Sequence, residues 1–282
     1  MKAKIMIGKV RNLKSPSPAV VRLAVLLADP DVDSEDIVRV IRQDGVMSAK
    51  LLALCNSAAF GFSRIGTVDQ AVLMLGCGEI TRLALALGFG ANLSPALEGY
   101  GMDAGALWRH SLLTALVTGC VCDELAGLGA NAGLAYTAGL VHDIGKVVLS
   151  QALDPEAQAA VREMILHDNI TLLEAEHEVL GVDHAEVGGC LLEQWRLPDS
   201  VVEAVANHHK PPIKPRPELS SVVRVADMLS HQAGDAPGWG AFAVDAAVES
   251  LTALGLTTAS DQKLMLSTYD ARATVAKLCS VS

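Results

Sequence analysis

The stretch Leu140-Val141-His142-Asp143-Ile144-Gly145-Lys146 sets a histidine and an aspartate side by side inside an apolar segment that runs from Tyr136 to Leu149. Such a segment predicts burial, and buried polar groups are costly unless hydrogen-bonded, paired or metal-bound. His142 and Asp143 therefore need partners from elsewhere in the chain. The candidates are His110 before them, then His184, the His208-His209 pair and Asp227 after them.

Imidazole nitrogens and carboxylate oxygens suit first-row divalent metals such as Fe, Mn, Zn and Ni. On a helix, His142 and Asp143 lie about a hundred degrees apart and can lean to one side. Lys146 follows one turn after His142 on the same face. His110 and Asp227, brought in by neighbouring helices, complete one expected metal site with His142 and Asp143. Asp143 then bridges to a second ion held by His184, His208 and His209. Two metals sharing a carboxylate can activate a water and clamp a phosphate. Asp143 and Lys146 are the expected catalytic residues, Lys146 as a cation for phosphate oxygens.

Each residue also has a plainer reading. His110 beside Trp108 fits a hydrogen-bonded core histidine, and His184 behind Asp183 fits a helix start. His208-His209 fits a solvated helix end, where cations are favoured. Asp227 can pair with His231 or Arg224. Jointly, however, five of the eight histidines fall where one metal cluster can use them. His167, His177 and His231 are left as surface or structural residues.

The surroundings predict an all-α protein. The 282 residues are 51% hydrophobic but only 4% aromatic, rich in Ala and Leu, which favours packed helices over a β-sandwich. Cap signals divide the chain: Pro18 at a helix start, Asp33 or Ser34, the Thr67/Gln70 box, Asp154-Pro155, the Thr171/Glu174 box and Asp183. Residues 1–15 read as a poorly specified lead-in. One helix is expected over Leu134–Gln151. The glycines from Gly88 to Gly105 mark a boundary between two helical subdomains, 1–100 and 101–282.

Net charge is −10 and no basic cluster interleaves with aromatics, which argues against nucleic acid or an anionic membrane as partner. Mean hydropathy is positive, +0.35, but no uninterrupted apolar run reaches the length of a membrane span. Met1–Lys9 has too short an apolar core for a secretory signal. The expected location is the cytoplasm, with the six cysteines as reduced thiols, mostly buried.

Several motifs together resemble one family. They are Trp108-Arg109-His110-Ser111, Gly139 to Lys146, Gly181-Val182-Asp183-His184, Trp195 to Pro198 and His208-His209. In the first half they are Ser15 to Val20, Ala49 to Ala58 and Ala71 to Gly76. In this order, covering about Leu13 to His231, they resemble the HDOD family, a signalling branch of the HD-domain superfamily. The resemblance implies an all-α fold whose second subdomain is HD-like, and a bacterial regulatory module acting on a signalling protein partner, with metal at an HD-type site.

Many HDOD members have lost the metal ligands, whereas this chain keeps His110, His142, Asp143, Lys146, His184, His208, His209 and Asp227. That set is similar to the HD-GYP phosphodiesterases, which act on cyclic di-GMP. The alternative function is therefore a metal-dependent phosphohydrolase acting on a nucleotide or cyclic dinucleotide. No Gly-Tyr-Pro follows His209; the proline-rich Lys210–Pro217 stands there. Ala106, one turn before His110, replaces the acidic ligand that holds a third metal in some HD-GYP enzymes, so at most two ions are expected.

Overall fold

Capping side chains, more than intrinsic propensity, fix where these short helices begin. The computed structural model describes all residues except 12, 30, 58–59, 61–63, 126–130, 168–169, 212–217, 240–247 and 281–282. The helices of the first half are α1 (Lys2–Lys9), α2 (Pro18–Leu26), α3 (Ser34–Gln43), α4 (Gly45–Cys55), α5 (Val68–Leu75) and α6 (Cys77–Leu93). A 3-10 turn, Glu98–Tyr100, leads to α7 (Ala106–Glu124), α8 (Ala132–Val141), α9 (Ile144–Ala152), α10 (Pro155–His167) and α11 (Leu172–Leu180). The chain continues through α12 (His184–Gln194), α13 (Asp199–Asn207), α14 (Leu219–Gln232), α15 (Val248–Ala253) and α16 (Thr258–Cys279). The fold is all-α. Among the described residues there is no strand, only an isolated antiparallel bridge between Leu97 and Met102.

Ser17, Asp33, Asp44 and Asp183 each accept a first-turn N–H, and Thr171 and Glu174 form the reciprocal box. Thr67 caps α5, but Gln70 reaches back to the Gly66 N–H instead of that of Thr67. The six cysteines are free, but only Cys55 and Cys122 are buried; the other four are half-buried, against the expectation of mostly buried thiols. No single helix among the described residues is long and apolar enough to cross a membrane.

Two expectations about helices need correction. Lys2–Lys9 is a helix, not an unspecified lead-in, and it packs on α9 and α12. The segment Leu134–Gln151 is two helices, interrupted at His142 and Asp143. That break changes how the site is built.

The core of the second half stacks α7 on α8, α14 and α16, and α12 on α9 and α13. Glycines allow the closest approach. A Cβ on Gly145 would fall 1.9 Å from the His184 carbonyl oxygen, and one on Gly188 would crowd Val205. Only glycine lets α9 and α12 touch backbone to backbone here, which carries His184 to Asp143.

Candidate metal centre

His142 closes α8, and Asp143, at φ −97° and ψ 10°, precedes α9. Both side chains turn inward at the junction. His142 Nδ1 lies 2.8 Å from the Gly139 carbonyl, His208 Nδ1 2.7 Å from that of Val205, and His110 Nδ1 2.8 Å from that of Asp235. A carbonyl only accepts, so Nδ1 carries the proton in each neutral ring and Nε2 presents a lone pair. All three Nε2 atoms are buried with no hydrogen-bond partner.

His184 is oriented differently. Glu176 Oε2 accepts its backbone N–H and faces its Nδ1, both at 2.8 Å, while its Nε2 stands 3.0 Å from His209 Nε2. Glu176 Oε1 accepts from the Tyr100 hydroxyl at 2.6 Å. A carboxylate on the far nitrogen is the usual support of a metal-binding histidine.

Asp143 stands between two groups of donors. Its Oδ2 faces His142 Nε2 at 3.5 Å and His110 Nε2 at 3.9 Å, and its Oδ1 faces His184 Nε2 at 3.3 Å and His208 Nε2 at 3.9 Å. Lys146 Nζ donates to Oδ2 at 2.6 Å. Asp227 Oδ1 lies 3.0 Å from His110 Nε2 and 3.6 Å from His142 Nε2. Donor atoms of Asp143, His184, His208 and His209 all lie within 4.8 Å of one another, as do those of His110, His142 and Asp227. Orphaned buried nitrogens around two carboxylates fit divalent metal ions.

The electrostatics match this arrangement. Burial opposes the charge on Asp143, but Lys146 and the surrounding imidazoles hold its carboxyl well below the usual range. Lys146 is likewise raised by Asp143 against its burial. Burial and the neighbouring His142 and His184 push His208 down to about 3, so its ring is neutral. Burial would lower His184 too, but the Glu176 carboxylate lifts it to about 9.

All eight residues singled out in the sequence meet at this place. Three others belong to it. Tyr100 and Glu176 form the support for His184. The signal for Glu176 was legible: it shares the apolar stripe of α11 with Leu172, Ala175 and Leu180, an odd place for an acid. His231 is the third, turned towards Asp227 with 12% of its side chain exposed. His167 and His177 are exposed, paired with Glu163 and Asp183. Ala106 offers no donor.

The HDOD domain model matches residues 13–211. This chain belongs to the HDOD domain family. An HDOD domain protein of Geobacter sulfurreducens superposes with a TM-score of 0.77 at 23% identity, covering 98% of this chain and 97% of the other. A candidate phosphohydrolase of Shewanella amazonensis does so at 0.70 and 22% identity, covering 98% of each. At these identities the likeness shows the fold alone.

An uncharacterised protein of Treponema pallidum is 30% identical over 218 residues, 75% of this chain but 41% of that protein. A ribonuclease Y of the Aster yellows witches'-broom phytoplasma is 30% identical over 161 residues, 57% of this chain and 24% of the relative. This HDOD chain thus spans less than half the length of these two curated relatives.

Proposed function

We propose that this HDOD chain binds two divalent first-row metal ions and hydrolyses a phosphate ester between them. One observation carries the reading: the two oxygens of Asp143 face opposite groups of imidazole Nε2 atoms, three of them buried and unpartnered. His110, His142, Asp143 and Asp227 would hold one ion, and Asp143, His184, His208 and His209 the other. Bound divalent ions supply Lewis acidity and a nucleophile from water at neutral pH.

The chain's own groups do the rest. The Nδ1 contacts hold each ring, and Glu176 takes the proton side of His184. Lys146 balances the buried Asp143 charge and is the nearest cation for a phosphate oxygen. The substrate class is a nucleotide or cyclic dinucleotide; the partial likeness to a ribonuclease Y supports phosphodiester chemistry and not the size of the substrate. The net charge of −10 disfavours bulk nucleic acid. Of the proline-rich segment beyond His209, residues 212–217 lie outside the described part.

A second reading has its own support. His110, His142, Asp143, Lys146, His184 and His208 are buried, and among the described residues of the centre His209, Asp227 and His231 are the partly exposed ones. So closed a centre suits a cytoplasmic signalling module that binds metal and acts through contact with a partner protein.

Elemental analysis of untagged protein, followed by assays on bis(p-nitrophenyl) phosphate and on cyclic di-GMP, separates the two readings. Metal in the wild type with turnover lost in Asp143→Asn supports hydrolysis. Loaded protein inert on every ester supports the module. Protein that takes up no metal overturns both.

A further inference from the structure

Asp227 and His231 lie one turn apart on α14 and share a face. A simple pair four residues apart would satisfy both groups. Here His231 Nε2 stands 3.4 Å from Asp227 Oδ1, the oxygen that His110 Nε2 approaches to 3.0 Å and His142 Nε2 to 3.6 Å. Three imidazole nitrogens converge on one atom, and that buried oxygen still has no hydrogen bond. The His110 and His231 rings meet edge to face, with centroids 5.0 Å apart. The His142 ring centroid is 5.2 Å from that of His110. His110 Nε2, His142 Nε2 and Asp227 Oδ1 are all buried without a hydrogen-bond partner, and such a group of donor atoms around one point calls for a cation among them.

We propose that His231 is a further nitrogen ligand of the ion held by His110, His142, Asp143 and Asp227. This rests on the metal-centre reading above. His231 brings that end to three imidazoles, equal to His184, His208 and His209 at the other. Nitrogen-rich sites prefer Zn, Ni or Fe, whereas oxygen-rich ones suit Mn or Mg. His231 therefore tilts the first ion away from Mn and lets one kind of metal fill both positions.

The test is metal affinity. Apoprotein prepared with chelator is titrated with Zn²⁺ and with Mn²⁺ against a metallochromic indicator, for wild type, His231→Gln and His231→Asn. His167→Gln removes an exposed histidine as a control, and circular dichroism reports folding. We expect one of two Zn²⁺ sites to weaken about tenfold or more in both His231 variants, the scale of losing one supporting group at a metal site. Mn²⁺ should weaken less, and His167→Gln should match the wild type. Two Zn²⁺ ions bound with unchanged affinity in both variants would overturn the role of His231 and leave the metal centre standing. A wild type that binds Mn²⁺ but no Zn²⁺ overturns the role of His231, and one that binds neither ion overturns both.

Discussion

Lys146 Nζ donates to Asp143 Oδ2 at 2.6 Å, and both side chains are buried. In the metal-free protein this ammonium is the nearest full positive charge on the carboxylate. Lys146→Met removes the closest cation from Asp143 and leaves only the imidazoles, chiefly His184, to offset its buried charge; breaking such a pair costs up to about 3–5 kcal/mol. Thermal denaturation in chelator should show that loss. Added Zn²⁺ should recover most of it, because a bound cation replaces the ammonium. Equal destabilisation with and without metal would count against two cations competing for one carboxylate.

Glu176 makes a specific prediction about positioning. Glu176→Gln keeps the shape but removes the charge that supports His184, and metal affinity should fall about 10–100-fold. Tyr100→Phe removes one hydrogen bond to Glu176 and should cost less. Competition titration ranks the two, and a larger effect from Tyr100→Phe would contradict the chain of contacts.

The pH dependence of the metal-free protein follows from two histidines of opposite sign. His208 is held down to about 3 by burial and by His142 and His184. The unfolded chain binds that proton at about pH 6.5, so the contribution of His208 is complete above that pH and lost as pH falls towards 3. His184, lowered by burial but lifted by Glu176 to about 9, contributes fully below about pH 6.5 and loses this as pH rises through 9. Denaturation curves in chelator should therefore peak around pH 6.5. His208→Asn should flatten the acid limb and His184→Asn the alkaline one. Metal must displace the His184 proton, so affinity should rise with pH, with proton release visible by calorimetry in buffers of different ionisation enthalpy.

Glycine substitutions probe how closely the helices pack. Gly145→Ala would drive a methyl into the His184 carbonyl, so stability and metal binding should fall together. A Cβ on Gly119, within α7, would meet no atom of another element within 4 Å, and Gly119→Ala should stabilise by about 0.5–1 kcal/mol. Denaturant titration of the pair distinguishes close packing from helix propensity. A tolerated Gly145→Ala would show that α9 and α12 can separate.

Cap residues and helical periodicity are local properties, so most helix starts and the all-α class were legible in the chain itself. Asp33, Asp154, Thr171 and Asp183 sit where the sequence places them, since each acts within a turn of its own position. The histidines and aspartates were also legible as a set, because ligand-type side chains in apolar segments need compensation. The tertiary structure decided what depends on distant elements. It broke the helix at His142-Asp143, so both side chains turn inward from a junction and not from one continuous helix. It placed Lys2–Lys9 on α9 and α12. It joined Tyr100, Glu176 and His184 across 76 residues between the first two, and turned His231 towards Asp227. Those contacts follow from the backbone approach at Gly145 and the docking of α14 on α7, which no local pattern encodes.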